Sequence, residues 1–202
     1  MSTWRVKSSR ASLPSGVFNK MMNRISVIIL SGLLTLVSCK KDDDKRRGEN
    51  VIDNRLYQSE LSFYALGFHF ATASLTRTDG SPFPDITLIA ETGAGGVITS
   101  VVFNGPPALN TSPFSLYGDY QIESEAITAF NSILTFEASD FIWTELGRQV
   151  AANQVWLYRS PDSHYAKLVI LDVITEERDG LPYAECRFRW VYQPDGTSNF
   201  PY

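Results

Sequence analysis

The stretch Tyr183–Tyr192 constrains this chain more than any other. Ala184, Cys186, Phe188, Trp190 and Tyr192 alternate with Glu185, Arg187 and Arg189. A period of two held over that length is a β-strand with one buried face, because a helix would spread the same side chains around its axis. Upstream, Tyr165–Ile174 places Ala166, Leu168 and Ile170 on one face and Val169, Leu171 and Val173 on the other. Both faces are apolar, which predicts a central strand covered on two sides. Thr175–Gly180 reads as the polar turn between these strands, where Glu176, Glu177 and Asp179 are solvated charges. Ser160–Ser163 reads as the turn before them, after a strand over Gln154–Arg159. Cys186 falls on the buried face, where a thiol acts as a small apolar filler.

The same grammar continues upstream. Leu61–Phe70 alternates aromatic and small residues, and Asp85–Glu91 and Val97–Phe103 are β-branched runs joined by Thr92–Gly96. The glycines Gly93, Gly95 and Gly96 lack the Lys-Ser or Lys-Thr of a phosphate loop and read as a hairpin turn. Asn104–Asp119 is rich in Pro, Gly, Asn and Ser and reads as a long loop. Ser124 is placed to cap a helix over 124–135, with Ile127, Phe130 and Leu134 at helical spacing. A second short helix would cover 141–150. The expected fold is therefore mainly β: antiparallel sheets in a single domain over 57–202, with one or two short helices.

Residues 1–38 read as an N-terminal extension and export signal. Asn23-Arg24 precedes an uncharged apolar run from Ile25 to Val37, with Met21 or Met22 as the expected start. That run is shorter than the roughly 20 apolar residues that span a bilayer. It ends in Leu36-Val37-Ser38-Cys39, which resembles the lipobox of bacterial lipoproteins. The resemblance implies cleavage before Cys39, lipidation of its thiol with acyl chains such as palmitate, and attachment to the outer membrane. Residues 39–56 then read as lipidated cysteine and charged tether, since 40–50 contains no apolar residue. Lys41 followed by Asp42, Asp43 and Asp44 is similar to the surface-export signal of some Gram-negative lipoproteins, which implies display at the cell surface.

From Cys39 onward there are 22 acidic residues against 13 Lys and Arg, a balance that argues against nucleic acid as a partner. All three methionines precede Cys39, and the only histidines are His69 and His164. No nucleophile elbow or zinc-binding His pair occurs, so a binding protein is expected rather than an enzyme, with no metal site. His69 is the candidate cofactor-binding residue: it shares a face with Gly67 and Ala71, opposite Phe68 and Phe70, where small residues would leave room for a ligand. His164 reads as a solvated residue of a hairpin tip.

Three segments together resemble the HmuY-like family of outer-membrane and surface lipoproteins. They are Gly67-Phe68-His69-Phe70-Ala71-Thr72 with Pro84-Asp85-Ile86, Asn153–Ser160 running through Asp162 to Tyr165–Leu168, and Phe188–Gly196. The resemblance implies a mainly-β domain and the binding of a small ligand, haem in the founder, or of an outer-membrane receptor. The paired histidines that would hold haem iron have no counterpart in 71–163, which contains no histidine. Methionine pairs are likewise missing, so no cofactor, and no tightly ligated haem, is expected. The alternative is a structural or adhesive surface lipoprotein without a small-molecule site.

Overall fold

The computed structural model describes residues 46–106 and 112–200. Cys39, the export signal and the Asp42–Asp44 run lie outside the described residues. The chain is mainly β. In order come β1 (Arg47–Asp53), β2 (Leu56–Gln58), β3 (Phe63–His69), β4 (Ser74–Arg77), β5 (Thr87–Thr92), β6 (Ile98–Asn104) and β7 (Phe114–Asp119). The helix α1 (Glu123–Ser132), β8 (Leu146–Gly147), β9 (Gln154–Arg159), β10 (Tyr165–Arg178) and β11 (Leu181–Gln193) follow. A five-stranded sheet runs β1-β11-β10-β9-β7, and two three-stranded sheets run β2-β3-β4 and β5-β6-β8. All of the pairings are antiparallel.

The alternation read from β10 and β11 explains the layering. One face of the large sheet buries Trp156, Tyr158, Leu168, Ile170, Phe188 and Trp190 against Phe68 of β3 and Leu88, Val101 and Phe103 of the β5–β6 hairpin. The opposite face buries Val155, Leu157, Val169 and Val191 against Ala126, Phe130, Ile133 and Phe136. The large sheet is thus covered on both sides, as the two apolar faces of β10 require. One residue departs from the reading. A bulge between Ile170 and Asp172 inserts Leu171 opposite β11, so Val173 pairs with Cys186 and joins the first face rather than the second. An extra residue reverses the side-chain parity beyond it. Cys186 is fully buried, and burial pushes its thiol pKa up.

Five local expectations need correction, the first being the turn over Thr175–Gly180, which is strand as far as Arg178 and pairs there with Leu181. The tether expected over 39–56 ends early, because Arg47–Asp53 pairs residue for residue with Val191–Glu185. Only Ile52 of this edge strand is buried in the core, and a Cβ at Gly48 would meet the Trp190 ring at 3.5 Å, so its composition looks like that of a solvated spacer. Phe114–Asp119, the end of the expected loop, is β7. The helix starts without a side-chain cap: Ile122, not Ser124, is its N-cap, and its inward stripe is Ala126, Phe130 and Ile133. No helix forms over 141–150. Ala138–Asp140 makes a single 3-10 turn, Thr144 bridges Phe114, and Leu146–Gly147 adds to β6.

Lys167 explains how α1 stays on the sheet. Its ammonium donates to the carbonyls of Phe130 (2.8 Å) and Ile133 (2.7 Å), satisfying groups that a helix end leaves open. Burial, with repulsion from Arg47, lowers its pKa to about 8. Replacing Lys167 by Met leaves two carbonyls in apolar surroundings. We expect Lys167→Met to lose about 2 kcal/mol, the scale of unsatisfied buried acceptors, in urea unfolding. A loss below roughly 0.5 kcal/mol would show that water replaces the ammonium.

Candidate functional site

Beside β7 lies an open cleft of about 810 Å³. One wall is β7 itself, through Ser115, Leu116 and Tyr117, and the other is the segment from Asp140 to Leu146. A single bridge joins the two walls: the Phe114 N–H donates to the Thr144 carbonyl (3.1 Å) and the Thr144 N–H to the Phe114 carbonyl (2.8 Å). Beyond that bridge no further backbone hydrogen bond joins the two walls among the described residues. Tyr117 and Phe141 stack across the gap with ring centroids 5.8 Å apart.

Two tryptophans meet the cleft in different states of restraint. Trp156 is buried, with its indole N–H donating to Gln154 Oε1 at 3.0 Å. Trp143 is half-buried, its indole N–H donating to the Ala138 carbonyl (2.8 Å) while the Arg159 guanidinium lies 4.5 Å from its ring centroid. Arg159 is itself held by the Ser112 carbonyl at 3.0 Å. Leu116 and Ile142 are exposed on the two walls, Ile142 by 86%. Arg148 also lines the cleft but is paired with Glu91. Asp140 and Glu145, on the outer wall, have no cationic partner among the described residues. Such a surface offers apolar contact, aromatic edges and carboxylates to a ligand, with no histidine or cysteine among its lining residues.

The two histidines lie elsewhere. His69 ends β3, half-buried, with Nδ1 2.9 Å from the Thr72 hydroxyl. Phe68 and Phe70 point into the core as expected, but the small-residue face is closed. A Cβ at Gly67 would meet the Ile86 carbonyl oxygen at 2.4 Å, so the 84–87 segment already fills the room foreseen for a ligand. His164 is not simply solvated: its Nδ1 sits 3.1 Å from the Tyr192 hydroxyl, and it is half-buried against that ring.

Between them stands Asp85, which sequence reasoning passed over as a functional residue. It accepts from the Phe70 N–H (2.7 Å) and the Tyr158 hydroxyl (2.8 Å). Burial raises its pKa above the carboxylate norm, while those two hydrogen bonds and the charges of His69 and His164 pull it back. Burial, reinforced by Asp85, also drives the Tyr158 phenol upward. Because the native state keeps the Asp85 proton longer than the unfolded chain, it binds more protons above the ordinary value of 3.8. Stability is therefore lost as pH rises through the raised pKa. Asp85→Asn is expected to flatten that part of the pH–stability curve relative to wild type, read by urea midpoints between pH 3.5 and 7. Identical slopes would remove Asp85 from the account.

Among the described residues no group of three or more His, Cys, Asp or Glu side chains is placed to hold a metal ion. Comparison with protein-family models, with curated proteins and with solved structures gives no match for this chain.

Proposed function

We propose that this protein is a lipid-anchored binding protein of the outer membrane, displayed at the cell surface and held by acyl chains on Cys39. In this reading its cleft beside β7 takes up a small ligand or a segment of an outer-membrane receptor. The observation that carries the binding part is the cleft of about 810 Å³, within the size range of ligand sites and walled by Tyr117, Phe141, Trp143 and Trp156. The anchoring part rests on the basic head, apolar run and Cys39, and on the resemblance to HmuY-like lipoproteins. Binding rather than catalysis suits a cleft that pairs no nucleophile with a base. Haem held by axial histidines is not the ligand assigned, since neither His69 nor His164 lines the cleft.

A chain labelled with 5-fluorotryptophan and titrated with a fragment library tests the cleft. Binding fragments are expected to move the Trp143 and Trp156 resonances and to leave that of Trp190, buried on β11, in place. Trp143→Leu should weaken them about tenfold, the scale of a lost aromatic contact. Fragments that move only Trp190, or a library that moves no tryptophan, would instead favour a structural or adhesive surface protein.

A further inference from the structure

We propose that the occupant of the cleft is an extended, lysine- or arginine-bearing segment of a partner protein, laid along the open edge of β7. The inference rests on the reading of this cleft as the binding site and names the chemistry of its ligand.

The backbone supplies the first argument. β7 ends the five-stranded sheet, with β9 on one side and only the Thr144 bridge on the other. Since the Phe114 N–H and C=O both point outward to Thr144, antiparallel alternation turns those of Leu116 to the same outer edge. There they meet no backbone partner among the described residues. An extended chain can pair with such an edge and place alternate side chains on either face. The bulge between Leu116 and Gly118 ends the regular edge, so this ladder is short. Side-chain contacts must supply the rest.

Charge supplies the second argument and selects the partner. Between Thr78 and Gly147 the chain carries nine acidic residues and no Lys or Arg. Exposed sheet edges are commonly guarded by lysine, and β7 has none. Arg148, which lines the cleft, and Arg159, which lies against its Trp143, are already engaged, Arg148 with Glu91 and Arg159 with Ser112 and Trp143. Asp140 and Glu145 therefore present uncompensated negative charge beside exposed Leu116 and Ile142. A strand alternating apolar and cationic residues complements both features, its lysine stems covering apolar surface and its ammonium groups reaching the carboxylates.

The test uses the purified full chain and two sets of synthetic decapeptides, in which Lys or Glu alternates with Val, Leu, Phe or Tyr. Members of the Lys set are expected to shift the 5-fluorotryptophan signal of Trp143 and to bind at least about tenfold more tightly than their Glu counterparts. Asp140→Asn with Glu145→Gln should cost at least about tenfold and flatten the salt dependence, since the pairs lost are screened ones. Glu176→Gln with Glu177→Gln, on the distant β10 end, should change nothing. N-methylation of alternate peptide amides should abolish binding in one register and spare it in the other. Equal binding of the two sets, no binding by either, or indifference to the Asp140–Glu145 pair or to N-methylation would overturn the inference. If fragments move Trp143 while no Lys peptide binds, this inference falls and the binding reading stands. If nothing moves Trp143, the binding reading falls with it.

Discussion

Cys39→Ala is expected to abolish incorporation of a clickable palmitate analogue and to release the protein from the membrane fraction. The lipobox resemblance places the lipid on this thiol, and the other cysteine, Cys186, is fully buried on β11, so no second site is expected to rescue the label. Each buried methylene contributes about 0.8 kcal/mol, and one acyl chain alone holds a protein only marginally. A lipoprotein carrying several chains stays on its membrane, and loss of all of them removes that hold. Among the described residues no helix is long and apolar enough to cross a bilayer. Membrane washes at high salt separate lipid anchoring from adsorption through charge. Label retained in Cys39→Ala would sink the anchoring reading and leave the cleft reading untouched.

How much of this molecule could be read from its residues depends on how each segment meets the core. β9, β10 and β11 were legible because their side chains pack on two apolar layers, and burial writes its period into the sequence. The β5–β6 hairpin was legible through Gly95 and Gly96, both at a φ of 78°, where glycine has the advantage. β1 was not, because an edge strand with only Ile52 in the core has the composition of a tether. β7 was hidden for a related reason, since Leu116 and Tyr117 face an open cleft and Gly118 follows a bulge. Phe141 and Trp143 stand two residues apart, a strand period rather than a helical one, and their neighbours Thr144 and Leu146–Gly147 are claimed by β7 and β6. The cleft follows from those two misreadings: it lies between an unforeseen strand and an absent helix. Asp85 gave a faint signal, a lone carboxylate inside Pro84-Asp85-Ile86, with nothing local to show that Phe70 and Tyr158 would converge on it.

Gly67→Ala is the substitution expected to damage the fold most. The added methyl would stand 2.4 Å from the Ile86 carbonyl oxygen, 2.6 Å from Thr87 Cγ2 and 2.7 Å from Pro84 Cβ. Two of these are fixed points. The Phe68 N–H donates to that same Ile86 carbonyl (2.8 Å), and the Asp85 and Ile86 N–H groups both donate to the Phe68 carbonyl. Asp85 is tied further to Phe70 and Tyr158, so the segment cannot retreat without opening several buried hydrogen bonds. Overpacking alone costs about 1–3 kcal/mol, and each bond broken adds roughly 1. We expect a loss of about 3–5 kcal/mol in urea unfolding followed by tryptophan fluorescence, and a Tm lower by about 10 °C. Gly80→Ala is the control. Its Cβ would come no nearer than 3.6 Å to Arg77, and the change should stay within about 0.5 kcal/mol. A Gly67→Ala variant as stable as wild type would mean that the 84–87 segment yields readily, and space for a ligand beside His69 would return with it.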